Sequence, residues 1–243
     1  MNTTQTLEQL QQLKLQGMYS SYQQVMRMPI NDHPEAHELL ALLVDAESTT
    51  RVNKKTERLK ARSKLRYKVL ITEIEYGEER NLSKQVVMIL AQGLYIEKRE
   101  NILITGATGC GKTFLACAFG TQACYQGYSV LYLNMNQFME QIIATKLDGT
   151  YTKYIYEVSK VKLLILDEFG IAPLNTESKI ALLQILEHRY ETSPTIIIGQ
   201  IPVSNWHNYI NEPTLADAIL DRITAKSHRI ELKGKSLRTK IIS

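Results

Sequence analysis

No stretch of about 18 apolar residues occurs in this chain of 243 residues, which excludes a membrane-spanning helix. The opening residues, Met-Asn-Thr-Thr-Gln-Thr-Leu-Glu, have neither a basic n-region nor an apolar h-region. No export signal is expected, and the chain reads as cytoplasmic. Cysteine is scarce. Cys110, Cys117 and Cys124 are seven apart, with no His or Cys pair beside them to complete the four ligands of a structural zinc. They read instead as small buried residues of a reduced protein. Internal repeats and low-complexity tracts are both lacking. What remains, 44% hydrophobic and 22% charged residues, is ordinary for a globular protein.

The most informative feature present is Gly-Ala-Thr-Gly-Cys-Gly-Lys-Thr at 106–113. It fits the phosphate-binding P-loop (Walker A) pattern, formed by Gly106, Ala107, Thr108, Gly109, Cys110, Gly111, Lys112 and Thr113. The apolar run 101–105 before it reads as a buried strand and 114–119 after it as a helix. Glycines let the loop curl so that successive N–H groups point at phosphate oxygens, and the helix adds its positive end. Lys112 would reach the β- and γ-phosphates, and the Thr113 hydroxyl would hold Mg2+. A nucleoside triphosphate, ATP in the reading developed below, is the implied ligand.

Leucine spacing predicts a helix over 1–28, interrupted by Pro29 and Pro34. A second helix is predicted from near Glu35 to about Glu75, a linker at 77–81 and a helix over 82–94. Strands at 101–105, 129–134, 162–167, 195–200 and 228–233 alternate with helices at 137–146, 178–190 and 214–224. Nearly continuous apolar strands between helices imply a parallel sheet covered on both faces.

Four further features refine the chemistry. Leu163-Leu-Ile-Leu ends in Asp167-Glu168, a Walker B pattern in which Asp167 holds the magnesium and Glu168 orients and deprotonates the attacking water. The protein-kinase motif set is missing, so the Asp-Glu-Phe-Gly string carries no kinase meaning. A whole strand, 129–134, lies in sequence between the P-loop strand and the Asp-Glu strand, as in the additional-strand branch of P-loop ATPases. Gln200, at a strand end, is either a sensor of the γ-phosphate or a loop-start glutamine. Arg222 closes the helix Leu215-Ala-Asp-Ala-Ile-Leu-Asp-Arg. It is either an arginine finger supplied to a neighbouring subunit or a surface arginine paired with Asp217 or Asp221.

Together with Gln-Ile-Pro-Val-Ser-Asn-Trp-His at 200–207, these segments resemble the IstB family, bacterial AAA+ ATPases encoded beside a transposase in insertion sequences and similar to the helicase loader DnaC. The likeness covers 95–238 closely and the N-terminal part more loosely. It implies an α/β P-loop AAA+ (additional-strand) fold with a parallel sheet core and helices on both faces. A small N-terminal helical domain (1–76) would precede the ATPase domain (77–243). Only 43 residues follow Gln200, so the C-terminal lid is expected to be reduced or absent. The resemblance also implies that Arg222 is the finger, that Arg238 is a second sensor, and that 134–162, with Lys146, Lys153 and Lys160, contacts DNA. Implied partners are double-stranded DNA, the transposase of the same element, and further copies of the chain in a homo-oligomer with ATP between subunits. The alternative is a DnaC-like helicase loader. More distant readings are a small-molecule kinase or a DNA-coating scaffold.

The net charge of +4 is unevenly spread. Residues 1–50 hold two cations against six acids, whereas 51–68 hold nine cations and only Glu57, a local charge of +8. At 100° per residue, Arg51, Lys54, Lys55, Arg58, Arg62 and Arg66 fall within an arc of about 120°. Such a run can be a solvated face. Beside an ATPase it reads as a row of phosphate contacts with little sequence preference, and a salt slope of about −5 is expected if all six cations contact duplex.

Overall fold

The computed structural model describes residues 3–234, 236 and 237. Contacts divide the chain into two compact units, Met1–Arg58 and Leu59–Ser243. The boundary expected at 76/77 thus moves to 58/59. The segment 59–76 packs with the second unit, where Val69, Ile71 and Ile74 join its core.

In the first unit α1 (Thr3–Gln12) and α2 (Gln16–Val25) replace the single helix predicted over 1–28. Lys14, at φ 59°, breaks the chain between them. The long helix α3 (Ala36–Arg62) starts after Pro34 and carries the chain across the boundary. It stops well short of Glu75. Ser63 turns its hydroxyl onto the Lys60 carbonyl at 2.7 Å, its own carbonyl accepts from the N–H of Tyr132 at 2.8 Å, and Lys64 adopts φ 54°. A tertiary partner has captured the carbonyl that a continuing helix would use internally.

The second unit continues with α4 (Lys84–Ala91), α5 (Leu94–Lys98), β1 (Asn101–Gly106), α6 (Lys112–Tyr125), β2 (Val130–Asn134) and α7 (Met135–Leu147). There follow α8 (Tyr151–Ser159), β3 (Leu163–Phe169), α9 (Thr176–Arg189), β4 (Thr195–Gly199), α10 (Trp206–Ile210), α11 (Pro213–Thr224) and β5 (Ser227–Leu232). Helices α8 and α10 were not legible in the sequence. The five strands are all parallel, in the order β2-β3-β4-β1-β5. The strand separating β1 from β3 in space is therefore β4, while β2 takes the edge.

Strand alternation divides the core. Ile102, Ile104, Leu163, Ile165, Ile196 and Ile198 face α4, α5 and α6, whereas Leu103, Leu164, Leu166 and Ile197 face α7, α8, α9, α10 and α11. Both faces being covered explains why the strands read as continuous apolar runs. Among the described residues no α-helix follows β5.

Candidate nucleotide site

Parallel strands end together, so the loops after β1, β3 and β4 gather at one edge of the sheet. There they form a cleft of about 620 Å³. Gly106, Gly109 and Gly111 all have positive φ (142°, 84° and 90°). A Cβ on Gly106 would stand 2.2 Å from the Leu232 carbonyl oxygen of β5, so only glycine allows β1 to turn there. Lys112 opens α6, and its Nζ donates to the carbonyls of Gly106 and Ala107 at 2.8 and 2.7 Å. Thr108 Oγ1 donates to Gln200 Oε1 at 2.9 Å, which brings Gln200 onto the P-loop.

Asp167 is 2% exposed. Its Oδ2 accepts from Thr113 Oγ1 and from the Tyr132 hydroxyl, each at 2.7 Å, and its Oδ1 accepts from the Glu168 N–H, also at 2.7 Å. The β3–β4 ladder is irregular between Leu166 and Phe169, and Glu168 is left-handed at φ 65°. Holding a non-glycine residue there costs about 1 kcal/mol, a strain that collects at functional sites. Phe169 fixes the turn from below, its ring edge-on to Trp206 at 4.8 Å and to Tyr209 at 5.0 Å. Trp206 is buried, and its Nε1–H donates to the Ile201 carbonyl. The aromatic that marks the 200–207 segment is thus a pillar under the Asp-Glu turn.

Several residues that line the cleft or hold its lining residues escaped the sequence reading. Tyr132 lay in a strand read only as apolar, and burial foremost pushes its phenol well up, so it stays a neutral donor. Arg80 donates through Nη2 to the Cys110 carbonyl at 3.0 Å and through Nη1 to the Glu75 carbonyl, bracing the P-loop from the segment before β1. The Leu237 N–H donates to the Gly109 carbonyl at 3.0 Å, so the chain beyond β5 returns to the P-loop. Arg238 itself lies outside the described residues.

Arg222 is not in this cleft. The Asn101 amide at the start of β1 donates to the Arg222 carbonyl, which puts Arg222 at the opposite end of the sheet. That is about 20 Å of strand away from the P-loop. Its guanidinium pairs with Glu187 at 2.6 Å and with Asp221 at 3.2 Å, and lies over the Tyr190 ring. Asp217 pairs with His207 instead. Beside it is a smaller cavity of about 150 Å³ that also touches Lys226 and the buried Arg189. Burial lowers Arg189 to about 9, and its donors reach Thr195 Oγ1 and the carbonyls of Ser159, Val161 and Pro194.

The predicted basic stripe is only partly realised. In the first unit Lys54, Lys55 and Arg58 stand exposed on α3. Arg51 is tied to Glu47, Nε to Oε1 at 2.8 Å. In the second unit Arg62 is exposed at the helix end. Arg66 lies beyond the helix, so the 100° projection does not apply to it. Its Nη1 sits 3.3 Å from Glu168 Oε1.

All three cysteines are unpaired and buried, and burial raises Cys117 and Cys124 to about 11. Among the described residues no group of three His, Cys, Asp or Glu side chains could hold a metal, and no helix is long and apolar enough to cross a membrane.

A five-stranded parallel sheet with the P-loop on one strand and the acidic pair two strands away defines an α/β P-loop fold of the kind seen in AAA+ domains. Solved structures agree on the fold. DnaI superposes with a TM-score of 0.60 at 18% identity, covering 68% of this chain and 92% of that one. AMPPCP-bound DnaA from Aquifex aeolicus gives 0.59 at 24%, covering 74% and 55%. The family follows from closer relatives. The model of the family described as IstB-like ATP binding protein matches residues 8–243. A putative insertion sequence ATP-binding protein of Sinorhizobium fredii is 38% identical over 96% of this chain and 95% of its own length. The insertion sequence IS1162 putative ATP-binding protein of Pseudomonas fluorescens is also 38% identical, over 84% and 89%. The chain belongs to the IstB-like ATP-binding family.

Proposed function

We propose that this protein is a DNA-dependent ATPase that assembles on duplex DNA and assists the transposase of an insertion sequence. The observation that carries the reading is the convergence of Lys112, Thr113, Asp167, Glu168 and Gln200 on one cleft in a chain of this family.

Lys112 and the P-loop N–H groups bind the β- and γ-phosphates of ATP. The Thr113 hydroxyl and the Asp167 carboxylate are hard oxygen donors 2.7 Å apart at the cleft floor, a set suited to Mg2+. Mg2+ held by Thr113 and Asp167 would supply neutralisation of the charge that develops on the transferred phosphoryl group. Glu168 accepts a proton from water as its oxygen bonds to the γ-phosphorus. The bond from that phosphorus to the bridging oxygen breaks, leaving ADP and phosphate. Gln200 contacts the γ-phosphate or the water from the far wall. Arg222, remote from the cleft of its own chain, serves the site of a neighbouring copy, which makes the working form a homo-oligomer. The exposed cations of α3 bind DNA phosphates without reading bases.

The test is binding to labelled 50-mer duplex and single-stranded DNA with ATP and with ADP. Tight duplex binding that requires ATP supports this function. Preference for single strands turns the reading toward a helicase loader, and indifference to DNA overturns it.

A further inference from the structure

The basic run does not end with the helix. In the second unit Lys60, Arg62, Lys64, Arg66 and Lys68 alternate with Ala61, Ser63, Leu65 and Tyr67. Ser63 and Val69 are buried and Leu65 packs against the core beside α6, while Arg62, Lys64, Arg66 and Lys68 are exposed. Alternate positions anchor this strap and the others present charge. The strap is also stitched to the sheet, since the Ser63 carbonyl accepts from the N–H of Tyr132 on edge strand β2.

Both acids at the end of β3 are therefore reached from this one segment. Tyr132, the strap's partner on β2, donates its hydroxyl to Asp167. Three residues beyond Ser63, Arg66 pairs with Glu168 Oε1. A guanidinium is charged at any working pH, and a hydrogen bond with Tyr132 foremost raises the Arg66 pKa further, with Glu168 the smallest contributor. The guanidinium takes one acceptor site of Oε1 and so biases where the carboxylate points, away from the orientation a water in the cleft would need. The pair is also exchangeable, because its side chains are 43% and 31% exposed, and exposed pairs contribute little. A DNA phosphate offers the same guanidinium a bidentate partner of equal charge, and duplex repeats that charge along a closely spaced row.

We propose that Arg66 is a positioning residue for Glu168 that couples hydrolysis to DNA: its guanidinium holds the carboxylate at rest and passes to a DNA phosphate when the basic strap engages duplex. The inference rests on the DNA-binding function proposed above. No covalent chemistry changes. Only the partner of Glu168 does, so kcat and not KM should respond.

The experiment compares wild type, Arg66→Gln and Arg66→Lys for phosphate release with and without duplex DNA, with DNA binding followed separately by fluorescence anisotropy. Arg66→Gln should raise the DNA-free kcat several-fold toward the DNA-stimulated wild-type rate, leaving KM for ATP within about twofold. Stimulation by DNA should fall below about twofold in that variant, and Arg66→Lys should restore much of it. Adding Glu168→Gln should abolish the gain, showing that it runs through that carboxylate. A DNA-free kcat at or below wild type, or stimulation of wild-type size, overturns the proposal, as does a wild type that binds DNA without faster turnover. If the wild type binds no DNA in any nucleotide state, the DNA function fails. The DNA-free rate of Arg66→Gln then still decides whether Arg66 restrains Glu168.

Discussion

Tyr132 and Thr113 donate to the same oxygen of Asp167, each at 2.7 Å, one from the edge strand and one from the first turn of α6. The carboxylate of a nearly buried acid is thus held from two sides before any ligand arrives. Tyr132→Phe removes one donor and keeps the ring. Stability should fall by about 1 kcal/mol, the usual worth of such a bond, and the Mg2+ concentration giving half-maximal turnover should rise. An unchanged Mg2+ dependence in a folded variant removes Tyr132 from the metal site.

Glu168→Gln keeps the shape of the side chain and removes its basicity. Turnover should fall by about 100-fold or more, with ATP binding by calorimetry close to wild type and complexes on DNA that persist. The amide cannot form an ion pair with Arg66 and has less reason to stay in the left-handed region. Normal turnover would exclude Glu168 as the base.

The first unit offers a test independent of nucleotide. Glu47 Oε2 accepts from the N–H groups of Gly17 and Met18 at the start of α2, and its Oε1 accepts from Arg51. Chiefly the Arg51 bond, then these N–H groups, hold its carboxyl below the ordinary 4.5. The folded state then binds fewer protons than the unfolded state in this window. The stabilisation is fully present above about pH 4.5 and is lost as pH falls through the folded value. Glu47→Gln should flatten that acid limb in denaturant titrations between neutral pH and pH 3. At the same crossing, a Cβ on Gly17 would stand 2.3 Å from the Ala46 carbonyl oxygen. Gly17→Ala should therefore cost about 2 kcal/mol.

Because Arg51 is engaged by Glu47, it and Arg58 should differ in DNA binding although they share the predicted stripe. Arg58→Ala should reduce the slope of log K against log salt by about 0.9, the share of one phosphate contact. Arg51→Ala should leave the slope close to wild type while weakening the first unit by loss of the Glu47 bond. Equal changes in slope would mean that Arg51 leaves Glu47 for a phosphate.

The parallel sheet, the P-loop and the acidic pair were legible because each is written locally. Strands buried on both faces read as apolar runs, and the octapeptide at 106–113 carries its turn chemistry in consecutive residues. Helix α8 was missed because its core-facing stripe, Tyr151, Tyr154, Ile155 and Val158, is only nine residues of helix long and half tyrosine, and α10 because it has only five residues. The end of α3 was misplaced for a different reason. Residues 63–75 contain no proline or glycine, and the helix stops because the edge of β2 captures the Ser63 carbonyl.

By itself the sequence determined the class of fold, the glycine-rich loop at 106–113, the acidic pair at the end of a strand and the concentration of positive charge in one stretch. These depend on neighbours in the chain, whose periodicity and spacing survive without coordinates. Only the tertiary structure decided which strand separates β1 from β3, that Tyr132 holds Asp167 and Arg80 lines the cleft, that Arg222 stands at the opposite end of the sheet, and that Arg66 meets Glu168 across 102 positions of sequence. Long-range pairing has no local signature, because a single residue's partner is set by the register of strands and the turns between them.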